Sequence, residues 1–195
     1  MRPRLANPPN VARGFTILEL MTTLAVLAVL LGVAVWSMQT FIVGNRVSAA
    51  ARELLARTRA AATIAARTNT PARLVFVTTG SGCLPRYELR TAAATYETVC
   101  LATEYPGVEL RTGGAEVKCG TETGLPNCSL CAAGGTITYY PSGEVTTSVA
   151  GGAGDSIVFG VRGDSSAART VAVGIRNVSG FSRFYRPSGS AWECP

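Results

Sequence analysis

The sequence predicts an α+β protein, one long N-terminal helix followed by a domain of antiparallel strands. Three observations predict it. Residues 14–36 read GFTILELMTTLAVLAVLLGVAVW, a continuous apolar run. Residues 37–68 contain no proline and are rich in Ala, Leu, Arg and Glu, which form helices readily. Beyond Pro71 the helical pattern ends, and short β-prone segments alternate with turn residues.

The chain has 195 residues, of which 47% are hydrophobic. One globular domain of roughly 100–150 residues fits that length once membrane and leader segments are set aside. The formal charge is +6, with Arg2, Arg4 and Arg13 lying in an acid-free opening segment. The remaining positive excess is mild and does not require a nucleic-acid partner. The chain has six Cys and no His. Lack of His removes the commonest general base and metal ligand. No nucleophile–base pair stands out, no cofactor motif is present, and no enzyme activity is expected.

Residues 1–13 are basic and Pro-rich, without helical periodicity. The apolar stretch after them spans about 22 residues, enough to cross a bilayer at ~1.5 Å per residue. The basic residues ahead of it orient the N-terminus toward the cytoplasm. Thr22 and Thr23 can return their hydroxyls to helix carbonyls. An ordinary signal peptide would have a shorter apolar region ending in a small-residue cleavage site, and Trp36 fits that poorly. Neither a signal peptide nor a plain anchor explains Glu19, because a charge inside a membrane helix costs roughly 2.5–3.5 kcal/mol.

Gly14-Phe15-Thr16-Ile17-Leu18-Glu19 resembles the class III signal of type IV pilins and type II secretion pseudopilins. The resemblance implies cleavage after Gly14 by a prepilin peptidase and N-methylation of the new terminus at Phe15. It makes Glu19 the fifth residue of the mature chain. There the carboxylate can neutralise the new amine, in its own chain or a neighbour, in an assembly salt bridge.

Farther along, Val47, Ala51, Leu54, Leu55, Thr58, Ala61, Ala62 and Ala65 recur at spacings of three and four, forming an amphipathic face to lie on a sheet. Arg46, Arg52, Glu53, Arg57, Arg59 and Arg67 fall mostly off that stripe. Gly32 and Gly44 lie inside the helix, where they allow bending or close packing. Asn69-Thr70-Pro71 ends it. This helix and its passage into a strand resemble the GspH/FimT-type minor pilins over roughly residues 14–79.

Strands are expected at 73–77, 86–90, 96–101, 136–140, 144–146, 156–161, 170–175 and 181–185, making an antiparallel sheet or a two-sheet domain. Pro141-Ser142-Gly143 marks a hairpin. Residues 112–135 and 149–155 read as loops, and Glu109, Glu116 and Glu122 as solvated. The expected organisation is a cleaved leader 1–14, a transmembrane half-helix 15–36, an amphipathic half-helix 37–70 and a disulfide-stabilised β domain 71–195.

Cys83, Cys100, Cys119, Cys128, Cys131 and Cys194 all follow the helix. Sequence cannot fix their pairing. Cys83 with Cys100 across adjacent strands is the first choice, Cys119 with Cys128 or Cys131 the second, leaving Cys194 to hold the tail. Cys128-Ser129-Leu130-Cys131 also matches a zinc or redox CxxC. A zinc site needs a second such pair, and a redox site a βαβ setting.

Arg169, Arg176, Arg183 and Arg186 occupy an acid-free stretch interleaved with Phe181, Phe184 and Tyr185. Such residues can grip phosphates and stack on bases. Some FimT-like pilins bind DNA through a Gly-Arg-any-Arg motif. Gly180 and Arg183 match it, while Phe181 replaces the first arginine. Arg176, Arg183 and Arg186 are the candidate contacts to double-stranded DNA. Strand alternation puts Arg183 and Arg186 on opposite faces unless the chain turns at Pro187.

The resemblance implies a minor type IV pilin, with other pilin subunits, the prepilin peptidase and the inner-membrane assembly platform as partners. It implies a single-pass inner-membrane protein with a periplasmic domain, later part of a pilus or pseudopilus filament. A type II secretion pseudopilin and a DNA receptor at a pilus tip are the alternatives.

Overall fold

In a computed structural model the described residues are 15–111, 117, 124, 134–148, 154–164, 169–176, 182–188 and 191–193. Residues 1–14, the expected leader, lie outside them. The chain divides into two compact units, Met1–Thr40 and Phe41–Pro195.

The element order is α1 (Ile17–Thr68), β1 (Ala72–Val77), β2 (Arg86–Arg90), β3 (Thr95–Cys100), α2 (Leu101–Glu104), β4 (Val108–Arg111), β5 (Thr136–Tyr139), β6 (Val145–Thr147), β7 (Gly154–Val161), β8 (Val171–Arg176), β9 (Ser182–Ser188) and β10 (Ala191–Glu193). The fold is α+β, as the sequence predicts. The strands form two antiparallel five-stranded sheets, β3-β2-β1-β5-β6 and β10-β9-β8-β7-β4.

Helix α1 runs unbroken through Gly32 and Gly44, and a Cβ at either would meet nothing within 4 Å. It stops at Asn69, whose φ of 51° is the left-handed conformation common just past a helix end. Pro71 then prevents further winding. The buried stripe of its C-terminal part is Val47, Ala50, Ala51, Leu54, Thr58, Ala61 and Ala65. Ala50 joins the predicted face, whereas Ala62 is exposed and Leu55 only partly covered. The buried face is thus rotated toward Ala50 and away from Ala62 relative to the predicted one.

One core unites this stripe with Leu74, Phe76, Tyr87, Leu89, Ile137 and Tyr139 of the first sheet and Ile157, Phe159, Val173 and Ile175 of the second. A second cluster, Val117, Val158, Ala172 and Tyr185 with Trp192 against it, covers the other face of the second sheet. Strands β7 and β8 are therefore buried on both faces, which explains their nearly continuous apolar runs.

Several boundaries differ from expectation. Leu101 begins α2, because its amide turns to the Pro85 carbonyl and the helical bond Tyr105–Leu101 follows. Gly154 and Asp155, read as loop, open β7. Gly154 is required there, since a Cβ would lie 2.0 Å from the Ile175 carbonyl oxygen. Strands β4 and β10 were not predicted. Strand β9 runs on through Pro187, which lies opposite Trp192 of the short β10.

Candidate functional site

At its start, α1 is fixed by local chemistry. The Glu19 N–H donates to the Thr16 hydroxyl at 3.2 Å, and the Leu20 N–H to the Thr16 carbonyl at 3.2 Å. Thr16 is thus an N-cap with Glu19 three residues on, the Thr-x-x-Glu arrangement of a capping box. The carboxylate sits where the helix dipole favours negative charge. Thr22 and Thr23 donate to the carbonyls of Glu19 and Leu20, as expected of hydroxyls in an apolar helix. Gly14 lies outside the described residues, and Phe15 is exposed.

Ile17–Ala34 is long and apolar enough to cross a membrane, with mean hydropathy 2.3, and none of it is buried in the monomer. Large apolar side chains on every side, from Ile17 to Val33, are open to their surroundings. A helix apolar all round needs lipid or other helices about it.

In the second unit a polar clamp ties α1 to the first sheet. Glu53 takes an ion pair from Arg57 one turn later at 2.6 Å, and Arg57 reaches Glu97 of β3 at 2.5 Å. The Tyr105 hydroxyl donates to the other Glu53 oxygen at 2.5 Å. That bond, more than the neighbouring Arg57, holds the Glu53 carboxyl below its ordinary value. Burial, together with the same bond, pushes the Tyr105 phenol well above its usual range. Arg46 donates to the Pro106 carbonyl at 3.1 Å, anchoring the same loop.

A disulfide joins Cys83 to Cys100, with Cα atoms 6.0 Å apart. Cys100 ends β3, one residue short of the expected strand, and Cys83 lies in the loop before β2 and not on a strand. The bond closes that loop against the sheet edge, since Arg86 of β2 pairs with Cys100. Cys119, Cys128, Cys131 and Cys194 lie outside the described residues, as do Glu116, Glu122, Gly180 and Phe181. Glu109 is not simply solvated, since Arg111 approaches it at 3.7 Å.

The three candidate DNA-contacting arginines are not brought together. Gly174 faces Arg183 and Ala172 faces Tyr185 in the register of β8 with β9. Alternation then puts Arg176 and Arg183 on the face of Ala172 and Tyr185, covered by the second cluster. Arg186 shares the opposite face with Phe184, its guanidinium 5.5 Å from that ring's centroid. Because β9 does not turn at Pro187, the faces stay separate.

Arg186 instead borders a groove of about 580 Å³ along α1, with Asn45, Ser48, Arg52, Glu53 and Tyr105. A second hollow of about 220 Å³ adjoins it, bordered by Ser48, Arg169, Thr170, Arg186 and Pro187.

Residues 9–35 match the family model described as the prokaryotic N-terminal methylation motif. The chain carries this motif. It covers the predicted cleavage position, the Thr16–Glu19 cap and the exposed apolar span. Neither curated proteins nor solved structures give a significant match.

Sequence reasoning singled out Glu19 through its cost in an apolar helix but passed over Thr16, although Thr-x-x-Glu is a readable cap signal. It also placed Glu53 and Arg57 off the apolar stripe without pairing them, though four-residue spacing announces an ion pair. Tyr105, 52 residues from Glu53, carried no local signal.

Proposed function

We propose that this chain is a minor subunit of a type IV pilus, matured by a prepilin peptidase and built into the filament through its N-terminal helix. One observation carries the reading. The methylation motif of residues 9–35 coincides with a capped helix whose apolar surface is wholly uncovered in the monomer.

The chemistry follows from that placement. Cleavage between Gly14 and Phe15 gives Phe15 a free amine just ahead of the helix N-cap, where the peptidase then methylates it. The Glu19 carboxylate, held in the first turn, attracts that amine or the amine of an adjoining subunit. Paired, neither charge is left alone in apolar surroundings, so the pairing sets helix register during assembly. Before assembly the helix spans the inner membrane once, with the β domain in the periplasm. At the assembly platform, other pilin helices replace lipid around Ile17–Val33.

A type II secretion pseudopilin would use the same N-terminal chemistry. The direct passage from α1 through Asn69–Pro71 into β1 supports the minor-pilin reading, since it resembles the GspH/FimT-type arrangement. DNA uptake through Arg176, Arg183 and Arg186 forms no part of the proposal, because these residues are divided between two sheet faces.

Glu19→Ala tests the assembly step. Expressed in a piliated host with its assembly apparatus, the variant should remain in the membrane fraction but vanish from sheared filaments. Wild-type abundance of Glu19→Ala in the filaments would refute the pairing.

A further inference from the structure

We infer that the groove between α1 and the Arg186–Pro187 part of β9 is a binding site for a linear phosphate polyanion. Its two lobes share Ser48 and Arg186, and each adds an arginine of its own, Arg52 in the larger and Arg169 in the smaller. A ligand with successive anionic groups can therefore set one group in each lobe, with Arg186 between them. The fork of a guanidinium matches phosphate oxygens, and Ser48 and Asn45 supply neutral donors beside it.

The charges of the groove favour an anion. Among the described residues, Glu53 is the one carboxylate that borders it, and both its oxygens are already engaged, one by Arg57 and the other by Tyr105. Asp164 draws on Arg169 at 3.5 Å, which leaves the larger lobe as the stronger site. Among the described residues, no carboxylate forms an ion pair with Arg52 or Arg186. Glu193 faces Arg186 in the strand register without such a pair. Arg186 also has an aromatic neighbour. Its guanidinium rests by Phe184, whose ring packs against the main core. Such stacking pre-orients a cation and lowers the entropy lost on binding. A combined hollow of this size suits a ligand of several phosphate units.

This inference does not depend on the proposed pilus role. Its test is calorimetric titration of the full chain in a non-ionic detergent. The probes are orthophosphate, tripolyphosphate and an abasic deoxyribose-phosphate oligomer. Tripolyphosphate should bind at least tenfold more tightly than orthophosphate. Arg186→Gln should weaken it at least tenfold, Arg52→Gln several-fold, and Arg59→Gln, on an exposed part of α1 away from the groove, not at all. Arg186→Lys, which keeps the charge and the fold, should recover part of the loss. Binding of the abasic oligomer with the same Arg186 dependence assigns the site to a phosphodiester backbone. Its failure beside tripolyphosphate binding assigns the site to free polyphosphate. No saturable binding of any probe overturns the inference, as does equal weakening by Arg59→Gln and Arg186→Gln.

Discussion

The Tyr105 hydroxyl donates to a Glu53 carboxylate oxygen 2.5 Å away, joining the loop before β4 to a helix 52 residues earlier. It adds a polar tie beside the apolar contact of the helix with the sheets. Arg57 and Glu97 extend it into β3.

Tyr105→Phe should lower the stability of the domain by about 1–2 kcal/mol, the range for a hydrogen bond to a partly exposed charged group. The pH dependence has a definite sign. The Glu53 pKa lies below its ordinary 4.5 in the folded chain, chiefly through Tyr105. Its contribution is complete above about pH 4.5 and is lost as pH falls through the lower folded value. Urea unfolding of wild type and Tyr105→Phe should therefore differ most near neutrality and converge in acid.

Leu54 is fully buried where α1 meets both sheets, and Leu54→Ala should cost about 3 kcal/mol. Ala62 lies on the exposed side of the same helix, so Ala62→Ser should stay within about 0.5 kcal/mol. Denaturant midpoints of the two variants measure the contrast. Similar losses would mean that the helix packs in another rotation.

The Cys83–Cys100 bond spans a sequence separation of 17. Removing it by the double substitution Cys83→Ser, Cys100→Ser should destabilise the domain by about 3 kcal/mol through the freed unfolded chain. Chemical denaturation compares the variant with wild type. Peptide mapping of the intact chain without reduction should recover both cysteines in one linked peptide.

Thr16→Val removes the hydroxyl that accepts the Glu19 N–H. Loss of such a cap costs about 1 kcal/mol, so the Glu19 amide should exchange with solvent several-fold faster in a micelle. Exchange at Leu27, in mid-helix, should not change.

Much of the fold was legible because its periodicities are local. The apolar run to Trp36, the three-four stripe from Val47 to Ala65 and the stop at Asn69–Pro71 each announce themselves within a few residues. Strand β2 matches its expected span because Arg86 to Arg90 alternate cleanly. Strand β4 was missed because Val108–Arg111 becomes a strand only by pairing with β7, some fifty residues later. Gly154 and Asp155 read as loop because their composition is that of a turn, yet the register with β8 makes them strand. The same distinction applies to function. Glu19 stands out against its apolar neighbours, and Gly14–Phe15 lies in a recognisable motif. Arg176, Arg183 and Arg186 of the tail, by contrast, lie within eleven residues of one another but are sorted by strand alternation. Arg186 thus meets Arg52 and Arg169 at one groove, and Arg183 does not.

The most direct test of the account is the intact mass of the chain after co-expression with a prepilin peptidase. The account predicts residues 15–195 carrying one added methyl group, and a Gly14→Val variant that keeps its leader. A mature terminus anywhere other than Phe15, or normal shortening of Gly14→Val, would contradict it.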